Sequence, residues 1–283
     1  MFKKNQIPLA LLLSSSIIST AAFAQFSAVG QESMSPNLPN LPKQGPEDMG
    51  KLNLELSASQ QKLTSGFGNW RDVTLRGTYS LPSNVLQAEL SQNQRFGTSG
   101  TFIGLGDTYT FNEDWFGSVA VGFGDGAFYL PKYRVDASVS RKLLPQRNLV
   151  ATVGVGYYNA PTGYSDKSIA LSAAYYFDSP FILEGGVRVN YSNPGSVKTS
   201  QQFVAGTYGR NKEDLITGRY GWGSEGYLAT TASNQLVDFR SDEISLAWRH
   251  WFAPATGWLV SANRYTNPSY KRTGVTVGLF HDF

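Results

Sequence analysis

Cysteine is absent from the 283 residues. That removes disulfides as a source of stability, removes thiolate metal ligands, and excludes lipid attachment at a mature N-terminal Cys. Histidine is nearly absent as well. His250 and His281 are the two present, and they stand apart in the chain. No Asp/Asn loop has calcium-hand spacing, so no metal site and no cofactor are expected. Charge is scarce: 16% of residues are Asp, Glu, Lys or Arg, against about 25% in soluble domains. Neither sign dominates. The net charge is +3, and without Lys3 and Lys4 it falls to near balance, which excludes a strongly basic nucleic-acid binder. Beyond the N-terminal leader no apolar run reaches the roughly 18 residues of a spanning helix, and mean hydropathy is −0.25.

What is present begins with a basic head, Lys3-Lys4, then an apolar run from Ile7 to Leu13, then Ala22-Phe23-Ala24. Small residues at 22 and 24 fit a signal-peptidase site, with Gln25 as the first mature residue. Residues 1–24 are therefore expected to be a cleaved signal peptide. Residues 25–49 carry Pro36, Pro39, Pro42 and Pro46 among Asn, Gln and Ser. That composition cannot build a core, and a disordered periplasmic lead is expected.

From residue 50 to Phe283 the pattern has a period of two. Leu52-Asn53-Leu54-Glu55-Leu56-Ser57 and Arg134-Val135-Asp136-Ala137-Ser138-Val139-Ser140 alternate throughout, and so does Phe181–Tyr191. Such alternation marks strands with one apolar and one polar face. In an outer-membrane barrel the apolar face meets lipid and the polar face lines the lumen. Segments of about ten residues suit tilted membrane-crossing strands. The expected fold is all-β: a closed antiparallel transmembrane β-barrel of about 12–14 strands. The alternation is weakest around 198–209 and 215–227.

Connections after even-numbered strands are tight, as at Leu81-Pro82-Ser83-Asn84 and Phe111-Asn112-Glu113-Asp114. Those after odd-numbered strands are expected to be longer: 64–70, 122–132, 161–166, 223–238 and 266–271. Short periplasmic turns facing longer extracellular loops follow from a chain that enters and leaves on the periplasmic side. Phe111, Trp115, Phe177, Phe181, Trp251, Phe252 and Trp258 sit beside turns, where rings form interfacial girdles. The chain closes on Thr276-Val277-Gly278-Leu279-Phe280-His281-Asp282-Phe283. This resembles the terminal signal read by the barrel-assembly machinery. Thr276, Gly278 and Phe283 match it, and His281 stands where an apolar or aromatic residue is usual.

Four further pieces carry a family resemblance: Gly68-Asn69-Trp70-Arg71, Arg95-Phe96-Gly97, Leu130-Pro131-Lys132-Tyr133 followed by Val135-Asp136-Ala137, and Gly223-Ser224-Glu225. With them the chain, from Lys51 to Phe283, resembles the YaiO-like family of outer-membrane β-barrels. The resemblance implies a barrel domain of the kind found near exopolysaccharide systems, sometimes behind helical repeats. No such repeats occur here.

If apolar alternates face lipid, the expected lumen-lining set is Glu55, Arg76, Glu89, Arg134, Asp136, Glu184, Arg188, Arg219 and Glu243, with Lys142 and Arg249 beside them. Mixed signs imply cross-lumen ion pairs rather than a single-sign selectivity ring. The expected extracellular-loop set is Trp70, Tyr129, Lys132, Tyr133, Trp222 and Glu225, whose rings either stack on sugars or belong to the outer girdle. Both histidines fall at the periplasmic rim. With only loop carboxylates such as Asp125, Glu225 and Asp238 as bases, no catalytic residue and no enzyme is expected. The expected location is the cell outer membrane. The expected partners are its lipid and lipopolysaccharide, the assembly machinery, and polysaccharide. The expected function is passage or surface display connected with polysaccharide or small polar solutes; a closed structural or adhesive barrel is the alternative.

Overall fold

A computed structural model describes residues 51–210, 212–227 and 237–283. The signal and lead segments expected over 1–49 lie outside these residues. Fourteen strands follow one another: β1 (Lys51–Leu63), β2 (Asn69–Ser80), β3 (Asn84–Arg95), β4 (Thr98–Thr110), β5 (Trp115–Gly124), β6 (Tyr133–Leu143), β7 (Leu149–Asn159), β8 (Ser165–Tyr176), β9 (Phe181–Asn193), β10 (Val197–Gly209), β11 (Asp214–Tyr227), β12 (Val237–Trp251), β13 (Thr256–Thr266) and β14 (Lys271–Asp282). Each pairs antiparallel with its sequence neighbour, and β14 pairs with β1 to close the barrel. The closing register runs from Asn53 opposite Asp282 to Leu63 opposite Arg272. Beyond it, the Phe283 amide donates to the Leu52 carbonyl at 2.7 Å. Closure leaves no strand edge, which the bilayer core demands of a sheet.

Burial runs opposite to that of a water-soluble protein. Leu56, Val119, Val155, Leu246 and Leu279 are exposed, Leu279 by 61%, while Glu55, Asp72, Arg95 and Arg249 are buried. Along β1 the buried residues are Glu55, Ser57, Ser59 and Gln61, alternating with exposed Leu54, Leu56 and Ala58. A sheet that turns leucine outward and glutamate inward is stable where hydrocarbon is the solvent. The weak alternation in β10 and β11 has a local reason. Their outward alternates include Ser200, Gln202, Gly206, Gly218 and Ser224, so the apolar stripe is interrupted although β10 pairs with β9 over Val197–Tyr208 and with β11 over Gln201–Gly209.

Two rings of aromatics flank the outward belt. At the end where β1 begins and β14 ends, called the termini end below, Tyr109 packs edge-on to Phe111, Tyr175 to Phe177, and Trp248 to Trp258 at 4.3 Å. At the other, loop-bearing end, Tyr133 meets Tyr157, and Tyr220 stacks on Trp222 at 5.4 Å and 22°. Phe111, Trp115, Phe177 and Phe252 are exposed, as girdle residues are. Trp251 is the correction: it points inward, buried against Leu215 and Phe280. It lies one residue from the turn on the opposite alternate to Trp248 and Trp258, and parity outweighs proximity to a turn.

The expected contrast between short and long connections holds only in part. Phe96 and Gly97 alone join β3 to β4, with φ of 51° and 77°. Two consecutive left-handed residues make the tight hairpin turn whose twist matches the strands. The 194–196 connection is also short. The strands run further into the expected loops than the alternation implied, and the longest described connection is 125–132, between β5 and β6.

Candidate functional site

The barrel wall brings inward alternates from distant parts of the chain face to face across the lumen. Glu55 of β1 reaches Arg249 of β12, whose Nη1 lies 2.7 Å from Glu55 Oε2. Its other oxygen lies 3.6 Å from Arg76 Nη1, and Arg76 Nε donates to Glu89 at 2.9 Å. This chain of four crosses β12, β1, β2 and β3. On another part of the wall, Arg134 grips Asp136 at 2.7 and 2.8 Å. Arg188 lies 3.8 Å from the second oxygen of Asp136 and donates to Ser168 Oγ at 2.8 Å. Arg219 lies over the face of Phe203 at 4.5 Å, and Glu184 occupies the inward alternate of β9. Arg76, Glu89 and Asp136 keep 29%, 25% and 23% of their side chains accessible, so part of each stays open to the lumen.

A second layer lies at the loop end; the sequence pattern puts its Glu243 in the lumen but its Trp70 and Glu225 in loops. Trp70 is fully buried and stands between two guanidinium groups, Arg95 and Arg272, each 5.1 Å from its ring centroid. Arg95 pairs with Asp72 at 3.3 Å, and Ser59 donates to the other oxygen of Asp72 at 2.9 Å. Arg272 pairs with Glu243 at 3.3 Å and lies over Tyr265. Asn263 also donates to Glu243, and the Tyr265 hydroxyl donates to Glu225 at 2.9 Å. Leu63, Phe239 and Tyr270 complete the packing, with Phe67 and Phe96 against it. Arg272 and Trp70 are 1% and 0% exposed. Arginine is the cation suited to such a place, since its plane stacks on aromatic faces while its edge bonds carboxylate.

The 125–132 connection folds into the lumen mouth beside this layer. Its Tyr129 ring lies 5.5 Å from the Arg95 guanidinium, and its hydroxyl lies 2.9 and 3.1 Å from the carbonyl oxygens of Asn93 and Thr98. Burial pushes that hydroxyl up to about 12, against a smaller opposing effect of Arg95. Two glycines make the slot. A Cβ on Gly100 would come within 2.6 Å of the Ala127 Cβ, and one on Gly124 within 2.6 Å of the Leu130 Cβ. The Leu130-Pro131-Lys132-Tyr133 block is thus the hinge by which the chain returns from the lumen to the wall.

The expected extracellular-loop set therefore divides. Tyr129 is in a loop but points inward, and Lys132 is in the same loop and exposed. Trp70 and Glu225 are inward residues of β2 and β11; Tyr133 and Trp222 are outward residues of β6 and β11. Of the lumen set, Glu55, Arg76, Glu89, Arg134, Asp136, Glu184, Arg188, Arg219 and Glu243 all stand on inward alternates. Asp72, Arg95, Asp166 and Arg272 were missed. They obey the same parity, Asp72 being four residues before Arg76, so the signal was available.

At the termini end Phe280, Trp251 and Leu215 form an apolar cluster on which Arg249 rests, 3.5 Å from the Phe280 centroid. Lys212 pairs with Asp282 there. Thr276 and Gly278 face inward; His281 and Phe283 face outward, edge to face at 4.5 Å. His281 shares a hydrogen bond with Thr256, and His250 with Asp214. Among the described residues no group of three or more His, Asp or Glu side chains could hold a metal ion.

The profile of the YaiO membrane beta barrel domain matches residues 51–228. Among curated proteins no sequence matches. Among solved structures the chain is similar to the CymD monoaromatic hydrocarbon channel, with a TM-score of 0.61 at 9% identity, covering 96% of this chain and 98% of that one. It is also similar to a bacterial polysaccharide outer membrane secretin, with a TM-score of 0.50 at 11% identity, covering 83% and 98%. At such identities the likeness establishes the fold alone, a closed outer-membrane β-barrel.

Proposed function

The chain belongs to the YaiO membrane beta barrel domain family, and from that premise we propose that it is a narrow hydrophilic passage through the outer membrane for small polar solutes, saccharides among them. The observation that carries this is the ladder of paired charges along the lumen wall, buried at Arg249 and Glu55 and part-accessible at Arg76 and Glu89, with Arg134, Asp136 and Arg188 elsewhere on the wall. Paired opposite charges offer hydrogen-bond donors and acceptors without a net field. Such a wall suits neutral hydroxylated molecules better than ions of one sign. The chain reaches the membrane behind its cleaved leader and is inserted by the assembly machinery, which reads the Thr276–Phe283 segment. The reading assigns it no turnover. Both histidines stand at the termini end, away from the layer where lumen side chains converge.

A closed structural or adhesive barrel is the second reading, favoured by the full burial of Trp70, Arg95 and Tyr129 at the loop end. Planar-bilayer recording separates the two. Passage predicts small, stable conductance steps that an oligosaccharide reduces; repeated silent insertions would favour the closed barrel. If Arg134 and Arg188 line the passage, Arg134→Gln with Arg188→Gln leaves Asp136 unopposed. The reversal potential in a salt gradient then shifts toward cation preference, and an unchanged potential removes both from the path.

A further inference from the structure

Inward charges pair with one another along the lumen wall, but the outward face at the loop end carries cations in excess of its acids. On β13, β14, β1 and β2 the small and apolar outward residues end at Ala262, Val275, Ala58 and Val73. Beyond them, toward the loops, stand Arg264, Lys271, Lys62 and Arg71, all exposed. The register draws these four together. Arg264 and Lys62 both lie opposite Thr273, one on each side of β14. Lys271 is two residues from Thr273, and so is diagonal to both. Arg71 lies opposite Gln60 and is diagonal to Lys62. Diagonal outward neighbours are about 7–8 Å apart, within the span of long side chains. Among the described residues none of the four makes an ion pair. On flanking β12, Arg240 is a further exposed cation and Asp238 and Asp242 are the exposed acids; Asp242 lies opposite Thr266 and so is diagonal to Arg264, among the described residues the one acid set against four cations there. On flanking β3 the outward residues are Gln92 and Gln94.

Neighbouring like charges on one sheet face repel, and they do so more strongly beside hydrocarbon than in open water. The cluster straddles the seam where β14 closes on β1, at the height where the belt gives way to the headgroup layer. We propose that Lys62, Arg71, Arg264 and Lys271 bind the phosphate groups of a phosphorylated glycolipid of the outer leaflet. Its acyl chains lie along Ala58, Val73, Val260, Ala262, Val275 and Val277, all outward on the same strands. Guanidinium forks donate to phosphate oxygens two at a time, and lysine stems reach from the belt edge into the headgroup layer. The charge is answered by phosphate, and the apolar strip below it requires that the phosphate arrive on a lipid. This assignment does not depend on whether the lumen conducts.

The test is native mass spectrometry of the purified chain in detergent micelles, with lipopolysaccharide and enzymatically dephosphorylated lipopolysaccharide as probes. Folding is checked by heat-dependent gel mobility. The variant Lys62→Gln/Arg71→Gln/Arg264→Gln/Lys271→Gln lowers affinity about ten-fold or more, and removing phosphate weakens binding to the unaltered chain equally. The outward pair Lys167→Gln/Lys198→Gln, elsewhere on the loop-end rim, binds as the unaltered chain does. Should the fourfold variant not fold, Lys62→Gln/Lys271→Gln is read the same way across the seam. Undiminished binding by the seam variants, equal binding of the dephosphorylated probe, an equal loss in the Lys167/Lys198 control, or competition by inorganic phosphate as effective as the lipid's own would each overturn the proposal.

Discussion

Glu55 touches two arginines that lie 173 residues apart in the chain, Arg76 at 3.6 Å and Arg249 at 2.7 Å. Both Glu55 and Arg249 are nearly withdrawn from water, so their charges depend on each other. Deleting one member of such a pair leaves the other desolvated and uncompensated, which costs about 3–5 kcal/mol. Glu55→Gln is therefore expected to lower barrel stability by about that amount, read as an earlier urea midpoint in vesicles. Arg249 loses its carboxylate but keeps Phe280 beneath it, so closure of the termini end should survive. The same reasoning explains the two arginines flanking Trp70. Each has a carboxylate at its edge, Asp72 or Glu243, and a ring at its face.

Among the elements, the 125–132 connection is the part whose position the strands do not dictate. It is held in the mouth by two glycine slots and by the Tyr129 hydroxyl. Gly100→Val removes one slot, because even a Cβ would meet Ala127 and Leu130 below 3 Å. The expected outcome is a loop displaced from the mouth and a single-channel conductance larger than that of the unaltered chain. Alkali should act on the same element. With the folded Tyr129 hydroxyl raised to about 12 and an unfolded tyrosine near 10, the packed loop holds the proton more tightly between those values. Its packing is therefore fully favoured below pH 10 and weakens as pH rises toward 12. Conductance rising over that window, and flat in Tyr129→Phe, is the expected pair of results.

For the molecule as a whole the deciding fact is its solvent. Exposed Leu246, near the middle of β12, belongs to a belt that only hydrocarbon makes favourable. Leu246→Arg is expected to cost about 2–4 kcal/mol at that depth, measured as a loss of folded fraction in vesicles. The reverse change at outward Arg240, Arg240→Leu, lies beyond the belt and should matter little. The period of two made both faces of every strand legible from Lys51 onward, because side-chain direction is fixed by backbone geometry alone. It placed Glu55, Arg134, Asp136 and Arg188 in the lumen and brought out the closed barrel, since lipid tolerates no open sheet edge. It did not place Trp70, Trp251 or Glu225, which stand beside a turn or inside an expected loop and yet keep the inward alternate of their strands. Nor did it show which inward charges meet. Glu55 finds Arg249, and Arg272 finds Glu243, only after fourteen strands have closed and their stagger has been set. A sequence fixes the alternation strand by strand. Pairing across a lumen, an inward-folded loop and a cluster of cations at the β14–β1 seam depend on closure, which joins the two ends of the chain.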